Sequence, residues 1–328
     1  MDFSWERLAP LGTNLETWGI PSGLAKTLSL LYAALLVGSL IRIAAARSMP
    51  AEQRRSRLGS LLVWWVLALV VTVSLAVGKM GVAAVFLVFG VLGLREFLAL
   101  TWEGRHTRAA APLCYLAVAV QFLLVPFGSG ELWRYALPLG LFLLVALRLT
   151  LTGVTVGYLH DFATLFWGAM VTGYLLSHAL AVTRFPSASG HDWKGWLLYL
   201  LILTEGNDIA QALWGRQFGR HRVTPTISPN KTWEGLLFGL FTTVIVAVLL
   251  APWLTTLSVF QAAVAGMLVA ASGFFGDINM SAFKRDVGVK DSSRLLPGQG
   301  GILDRIDSLS FSAPVFYYYC NWIRVGSG

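Results

Sequence analysis

The chain has 328 residues, of which 56% are hydrophobic and only 13% are charged. Because soluble globular proteins carry about 25% charged residues, this composition excludes an ordinary soluble domain and indicates a polytopic membrane protein. The net charge of +8 is explained by membrane topology and anionic ligands, and the sequence contains no nucleic-acid-binding motif.

Long apolar stretches predict the secondary structure. A hydrocarbon core about 30 Å thick requires roughly 20 apolar residues per helix, so we expect an all-α polytopic protein with about ten transmembrane helices. The spans lie near residues 24–45, 59–78, 81–100, 109–128, 133–149, 162–183, 194–213, 234–253, 258–280 and 306–323.

The N-terminal segment, residues 1–20, mixes aromatic with charged side chains and lacks the order of a signal peptide. It is predicted to be an interfacial segment, with a partly ordered tail as the alternative. The rest is expected to form one continuous membrane domain with a scaffold half, residues 21–190, and a catalytic half, residues 191–328. This division reflects the polar side chains that enter the helices of the second half.

Basic residues predict the orientation in the membrane. With ten spans, the five connections on one side contain 16 of the 25 Lys and Arg residues. The positive-inside rule places that side in the cytoplasm. We therefore expect a multi-pass protein of a prokaryotic cytoplasmic (inner) membrane, with its active site at the cytoplasmic side of the last four helices.

The first polar cluster lies within a predicted span. Thr204, Asp208 and Gln211 are spaced i, i+4, i+7 and are expected to share one helix face. An ionised Asp at mid-membrane costs roughly 2.5–3.5 kcal/mol, so Asp208 is predicted to be functional, with Glu205 as its rival. Hydrogen bonding between helices is the structural alternative.

The second cluster, residues 219–235, is a basic connection that contains Lys231 and two prolines. The prolines prevent a continuous helix, and Thr232 is predicted to cap a helix that begins near Trp233. Taken alone, this segment is typical of an ordinary positive-inside loop.

The third cluster combines acidic and basic side chains. Asp277, Ser281 and Lys284 follow an i, i+4, i+7 pattern at the end of a span, and Asp304 and Asp307 are expected to begin the last helix. Carboxylates from two helix ends fit Mg²⁺, which takes oxygen ligands and often retains substrate phosphates. A charged juxtamembrane loop would explain the basic residues, but it would not explain the intramembrane Asp277.

The connection between these helix ends contains the glycine-rich run 296–301, whose backbone N–H groups are able to approach an oxyanion closely. The sequence contains no GxxxxGK[ST], HExxH or GxSxG motif. Metal-assisted phosphoryl or nucleotidyl transfer is the chemistry that these residues indicate. The cations available for a polyphosphate are Lys284, Arg285, Lys290, Arg294 and Arg305.

These segments together resemble the signature of CDP-diacylglycerol synthases, also called phosphatidate cytidylyltransferases. The similarity covers about residues 200–310, whereas the first half resembles the family only in hydropathy, with a weak local similarity at Arg95-Glu96-Phe97. The matching residues are Ser281-x-x-Lys284-Arg285, Lys290-Asp291-x-Ser293, Leu296-Pro297-Gly298-x-Gly300-Gly301 and Asp304-Arg305-x-Asp307, with Ser228-Pro229-x-Lys231-Thr232-x-Glu234-Gly235 and Asp208-Ile-Ala-Gln-Ala-Leu-Trp-Gly215-Arg216 before them.

The resemblance implies a reaction of CTP with phosphatidic acid that yields CDP-diacylglycerol and pyrophosphate. It implies Mg²⁺ as the cofactor, either as two divalent ions or as one with a monovalent ion, and membrane lipids as partners. The sequence leaves open whether the chain forms a homodimer. Asp277 and Asp304 would hold the metals, with Asp208 and Asp307 close behind. The remaining residues implied at the site are Lys284, Arg285, Lys290 and Arg305 for the phosphates, Ser228, Lys231, Thr232 and Glu234 for the nucleotide, and Ser281, Asp291, Gly298, Gln299, Gly300 and Gly301 around them.

One position departs from the family pattern, because Gln299 occupies the place of a usual His. Gln donates a hydrogen bond but does not shuttle a proton near neutral pH. The change leaves open a slower synthase, a paralogue that uses another lipid phosphate, or an inactive relative. The carboxylates favour an active enzyme.

Two alternatives belong to other functional classes. A CTP-dependent lipid kinase of the polyprenol type would need the same charges but would release CDP. A membrane transporter would use Asp208 and Asp277 for ion coupling, but it predicts polar residues in both halves, whereas here they cluster in the second.

Overall fold

The computed structural model describes residues 21–47, 49–101, 105–128, 130–153, 155–187 and 191–326. The predicted interfacial segment, residues 1–20, lies outside them. The described residues form ten helices, which confirms the predicted all-α polytopic architecture.

The helices are numbered in chain order. α6 contains a π-helical turn at Met170–Leu175 and ends in a 3₁₀ turn at Val182–Arg184. The bounds are α1 Ser22–Ala46, α2 Ala51–Val77, α3 Lys79–Thr101, α4 Arg105–Phe127, α5 Leu132–Leu151, α6 Tyr158–Arg184, α7 Trp193–Phe218, α8 Trp233–Leu254, α9 Val259–Asp286 and α10 Leu303–Gly326.

Eight of these ten described helices are long and apolar enough to cross a membrane. The other two, α7 and α10, are of similar length but carry ionisable residues, among them Glu205, Asp208, Asp304 and Asp307. Of the helices that contain the predicted site, α7 and α10 therefore depart from bilayer-like composition, whereas α9 does not.

Several helices extend beyond their predicted spans. α2 begins at Ala51 instead of near residue 59, and α9 continues to Asp286 instead of ending near residue 280. Hydropathy reports the part of a helix that lies in hydrocarbon, and these extensions are polar. α9 ends where Gly288 adopts a left-handed conformation with φ of 74°.

The last four helices pack against one another, and α10 also contacts α3 and α6 of the first half. α7 and α8 approach closely because Gly235 and Gly239 face the backbone of Gln211. At Gly239 an added Cβ would lie 2.4 Å from Gln211 Cγ. The four-residue spacing of these two glycines thus places both against α7.

A short hairpin connects α7 to α8. Its strands are β1, Arg222–Thr224, and β2, Ser228–Thr232, which pair antiparallel with Arg222 opposite Thr232. The Thr232 hydroxyl accepts a hydrogen bond from Gly235 N at 3.1 Å, so it caps α8 as predicted. The hairpin places Lys231 beside Gln211 of α7 and Asp277 of α9.

Candidate active site

A cavity of about 480 Å³ lies where the C-terminal parts of α1, α7 and α9 meet the N-terminal parts of α2 and α10. Asp208 lies ten residues before the end of α7 and Asp277 nine before the end of α9. At 1.5 Å per residue, both carboxylates are therefore about 15 Å from those helix ends. The lining residues are Arg42, Ser60, Trp64, Glu205, Asp208, Ile209, Ala212, Leu213, Arg216, Lys231, Asp277, Lys284, Asp291, Gly298, Gln299, Asp304, Arg305 and Asp307.

Asp277 forms an ion pair with the hairpin. Its Oδ2 atom lies 2.5 Å from Lys231 Nζ, and its Oδ1 atom accepts a hydrogen bond from Ser281 at 3.4 Å. Burial disfavours the charged ammonium of Lys231, but Asp277 and Asp208 outweigh it and raise the pKa of Lys231 above its usual value. Lys231 is therefore a permanent cation of the cavity at neutral pH.

Asp304 has more hydrogen-bond donors around it than the other site carboxylates. Its Oδ1 atom accepts from Lys284 Nζ at 2.6 Å, and its Oδ2 atom accepts from the N–H groups of Ser292 and Gly301, both at 2.9 Å. Only glycine fits at position 301, because a Cβ there would lie 2.2 Å from Ser292 Oγ and from a carboxylate oxygen of Glu96. Asp304 thus fixes the connection before α10 and pairs with Lys284.

Asp208 and Asp307 are less completely paired. Asp208 Oδ1 is buried and has no hydrogen-bond partner among the described residues. Asp307 Oδ1 accepts from the N–H of Ser308 at 2.7 Å. Asp208, Asp277 and Asp307 are close enough to repel one another, and the nearby cations Lys231, Lys284 and Arg305 offset part of this repulsion.

The cavity wall has six carboxylates and five cations among the described residues. Two cations, Lys231 and Lys284, are neutralised by Asp277 and Asp304. A bare polyphosphate would therefore meet a wall with no excess of positive charge, and the carboxylates would repel it. A bound divalent cation would offset that repulsion. No group of three His, Cys, Asp or Glu side chains that could hold a metal ion by itself is found in the described ranges.

Gln299 lines the cavity and contacts α2. Its Nε2 atom donates to Ser60 O at 2.9 Å and to Ser60 Oγ at 3.0 Å. The backbone carbonyl of Ser60 requires a donor, which fixes the orientation of the amide. In this arrangement the Gln299 amide donates to Ser60 of α2.

Gly298 brings the connection against the same helix. It has a φ of 72°, and a Cβ there would lie 2.3 Å from Ser56 O. Both the turn and the close approach to α2 require glycine.

The structure brings ten predicted site residues to the cavity and leaves eight outside its lining. The Glu234 carboxylate accepts from the backbone N–H groups of Arg220 and His221 and so organises the hairpin. The Arg285 guanidinium donates to the carbonyls of Ile227 and Val289. The residues that do not line the cavity are Ser228, Thr232, Glu234, Ser281, Arg285, Lys290, Gly300 and Gly301.

The face predicted from Thr204, Asp208 and Gln211 is rotated in the structure. Thr204 and Gln211 are buried between helices, and only Asp208 of the three lines the cavity. Glu205, the rival, lines it as well, as does Arg216. Glu205, Asp208 and Arg216 are spaced i, i+3, i+11, and this spacing in the sequence could have identified the face that lines the cavity.

Glu96 on α3 was seen only as a weak local similarity. It is buried, and its Oε1 atom accepts from Ser293 Oγ at 2.7 Å and from Ile302 N at 3.1 Å. Its Oε2 atom accepts from Ser292 Oγ and Leu303 N, both at 2.9 Å. Glu96 therefore caps α10 from the first half of the chain and positions the connection that carries Gln299.

Comparisons with known proteins identify the family of this chain. The sequence model of the cytidylyltransferase family matches residues 59–323. The chain is 38% identical over 299 residues to the uncharacterized protein YnbB of Escherichia coli K12, a match that covers 91% of this chain and 99% of that protein. The phosphatidate cytidylyltransferase of Haemophilus influenzae is 40% identical over 128 residues, 38% of this chain and 44% of that protein.

The phosphatidate cytidylyltransferase of Staphylococcus haemolyticus is 31% identical over 207 residues, which is 63% of this chain and 78% of that protein. The family match includes every residue of the cavity wall except Arg42, which precedes it. It confirms the resemblance inferred from the signature. The chain belongs to the cytidylyltransferase family.

Proposed function

We propose that this protein is an integral membrane enzyme that joins CTP to phosphatidic acid and forms CDP-diacylglycerol and pyrophosphate. The relatives named phosphatidate cytidylyltransferase support this substrate pair. The observation that carries the proposal is the convergence of carboxylates and cations on one cavity whose edge includes the exposed apolar residues Ile209 and Leu213. A lipid phosphate is able to enter such a cavity while its tails stay in the bilayer.

In this reaction an oxygen of the lipid phosphate attacks the α-phosphorus of CTP. A new phosphorus–oxygen bond forms, the bond to the bridging oxygen of the leaving group breaks, and its electron pair departs with pyrophosphate. Such an in-line displacement depends on positioning and charge stabilisation. Lys284 and Arg305 are placed to contact anionic phosphate oxygens.

The reaction needs no strong general base, because a phosphate monoester is already mostly ionised near neutral pH. Gln299 in place of a proton-shuttling His therefore does not remove an essential step. Its contacts with Ser60 support a role in positioning the connection between α9 and α10.

The donor set fits Mg²⁺. The candidate ligands are oxygens only, and Asp208 Oδ1 is buried without a partner in the described part of the chain. We assign Asp208 and Asp277 as metal-holding residues, with Asp307 beside them, while the donors around Asp304 support a positioning role. Bound Mg²⁺ would neutralise phosphate oxygens and stabilise the departing pyrophosphate.

The proposal is tested with purified protein in detergent–lipid micelles supplied with phosphatidic acid, CTP and Mg²⁺. We expect CDP-lipid and pyrophosphate in equal amounts. Release of CDP with a newly phosphorylated lipid would establish a lipid kinase instead. If neither product forms although CTP binds, phosphatidic acid is not the acceptor.

Asp208→Asn is the sharpest variant for this site. We expect it to lower the rate of CDP-lipid formation about 100-fold or more, because a metal-holding charge is lost. The unfolding temperature should change little, since Asp208 Oδ1 loses no hydrogen bond and the lost attraction to Lys231 is offset by the decreased repulsion from Asp277. Asp286→Asn, at the exposed end of α9, is the matched control. Full activity of Asp208→Asn would contradict the assignment.

A further inference from the structure

We infer that Arg42 on α1 binds the phosphate of the lipid substrate. This inference rests on the proposed function and adds a substrate-contacting residue to it. Arg42 lies in the cavity wall although it precedes residue 59, where the family match begins. The family signature therefore does not include it.

Three segments of the chain meet at Ser60 of α2. Arg42 Nη1 lies 3.3 Å from Ser60 Oγ and donates a hydrogen bond to it. On the other side, Gln299 Nε2 donates to the carbonyl and the hydroxyl of the same residue. Ser60 thus holds Arg42 and the connection between α9 and α10 on one side of the cavity. The side chains of Arg42, Ser60 and Gln299 all line the cavity.

The charge of Arg42 is available to a ligand. The salt bridges among the described residues do not include Arg42, whereas Lys231 and Lys284 each pair with a carboxylate. A guanidinium has five N–H donors in a planar fork, and Ser60 accepts from one of its nitrogens. The remaining donors suit the oxygens of a phosphate group.

The position of Arg42 favours the lipid over the nucleotide. α1 is the least buried of the eight apolar helices, and Leu40, Ile41 and Ile43 beside Arg42 are exposed apolar residues. Arg42 is itself exposed, so it lies at the boundary between the apolar surface and the polar cavity. A lipid phosphate crosses this boundary because its tails remain in hydrocarbon, and a long Arg side chain reaches from hydrocarbon to a polar group.

The test compares Arg42→Gln, Arg42→Lys and the control Arg57→Gln, in which an exposed Arg outside the cavity wall is changed. Calorimetric titration measures binding of short-chain phosphatidic acid, inorganic phosphate and Mg-CTP to each full-length protein in detergent. We expect Arg42→Gln to raise the Kd for phosphatidic acid about tenfold and to leave that for Mg-CTP unchanged. Arg42→Lys should lie between the native protein and Arg42→Gln, because it keeps the charge but loses the fork.

Phosphatidic acid binding by Arg42→Gln equal to that of Arg57→Gln would overturn the inference. Weaker binding of Mg-CTP alone would also overturn it, because it would assign Arg42 to the nucleotide. Equally weakened binding of inorganic phosphate and phosphatidic acid, at similar affinity, would instead indicate a free-phosphate site and would overturn it too. If Arg42→Gln does not fold, Arg42→Lys against the native protein decides by the same criteria. Phosphatidic acid binding without CDP-lipid formation would reject the proposed reaction while these titrations still decide the role of Arg42.

Discussion

Glu96 shows how a single buried carboxylate connects the two halves of the chain. Both of its oxygens accept hydrogen bonds from the segment that leads into α10, and two of the donors are backbone N–H groups at the start of that helix. Because the helix N-terminus carries a partial positive charge, an acidic residue is well placed there. Glu96 therefore stabilises the arrangement that brings Asp304 and Asp307 to the cavity.

Glu96→Gln should destabilise this arrangement. An amide NH₂ at this position would face two hydrogen-bond donors, and we expect a loss of about 2 kcal/mol or more in stability together with reduced activity. Thermal unfolding in detergent and CDP-lipid formation measure the two effects. Glu131→Gln is the control, since Glu131 is exposed and its one ion pair within the described ranges is with Arg134. Equal unfolding temperatures for the two variants would rule out this role for Glu96.

Among the helices, α7 has two polar faces, one that lines the cavity and one that packs against α8. One face carries Glu205, Asp208 and Arg216 to the cavity, while the other packs Gln211 against Gly239 of α8. The predicted i, i+4, i+7 face identified Asp208, but spacing alone did not distinguish the cavity from the helix contact. Both faces are polar, and only the position of α8 decides which polar residues are covered.

Gly239→Ala should disturb this helix contact. The new Cβ would lie 2.4 Å from Gln211 Cγ and 3.0 Å from Gln211 N, so α7 must shift. We expect a lower unfolding temperature and lower activity, since Gln211 also accepts a hydrogen bond from Lys231 at 3.3 Å. Gly140→Ala on α5 is the matched control, because its Cβ meets no atom within 4 Å and alanine favours a helix. If both variants unfold at the same temperature, close packing of α7 and α8 is not needed.

Hydropathy and polar spacing predicted the ten helices and most of the charged cavity, because both are local properties of the sequence. Arg42, Ser60 and Glu96 were not predicted at the site. Each belongs to an apolar helix, and only Glu96 lies in a segment with a weak family similarity. Their positions depend on the packing of α1, α2 and α3 against the connection before α10. Such contacts between distant segments leave no pattern in the spacing of residues.

For the whole molecule, the distribution of basic residues predicts the side of the membrane on which the cavity opens. Cys114 and Cys320 are buried, so a single introduced cysteine gives a clear labelling signal. We expect Lys290→Cys, on the exposed connection after α9, to react with an impermeant maleimide in inside-out vesicles but not in right-side-out vesicles. Glu131→Cys, between α4 and α5, should show the opposite pattern, and the reverse result would place the site outside.

The polarity of α7 and α10 also has a consequence for biogenesis. An Asp at the bilayer centre costs roughly 2.5–3.5 kcal/mol in an isolated helix. This cost bears on Asp208 in the interior of α7, and less on Asp304 and Asp307, which lie in the first two turns of α10. α10 is synthesised after the other nine described helices, and its start is stabilised by Glu96 of α3 and by Lys284 of α9. Because Asp304, Arg305 and Asp307 of α10 are part of the cavity wall, a nascent chain that ends before α10 lacks two of the six carboxylates of that wall.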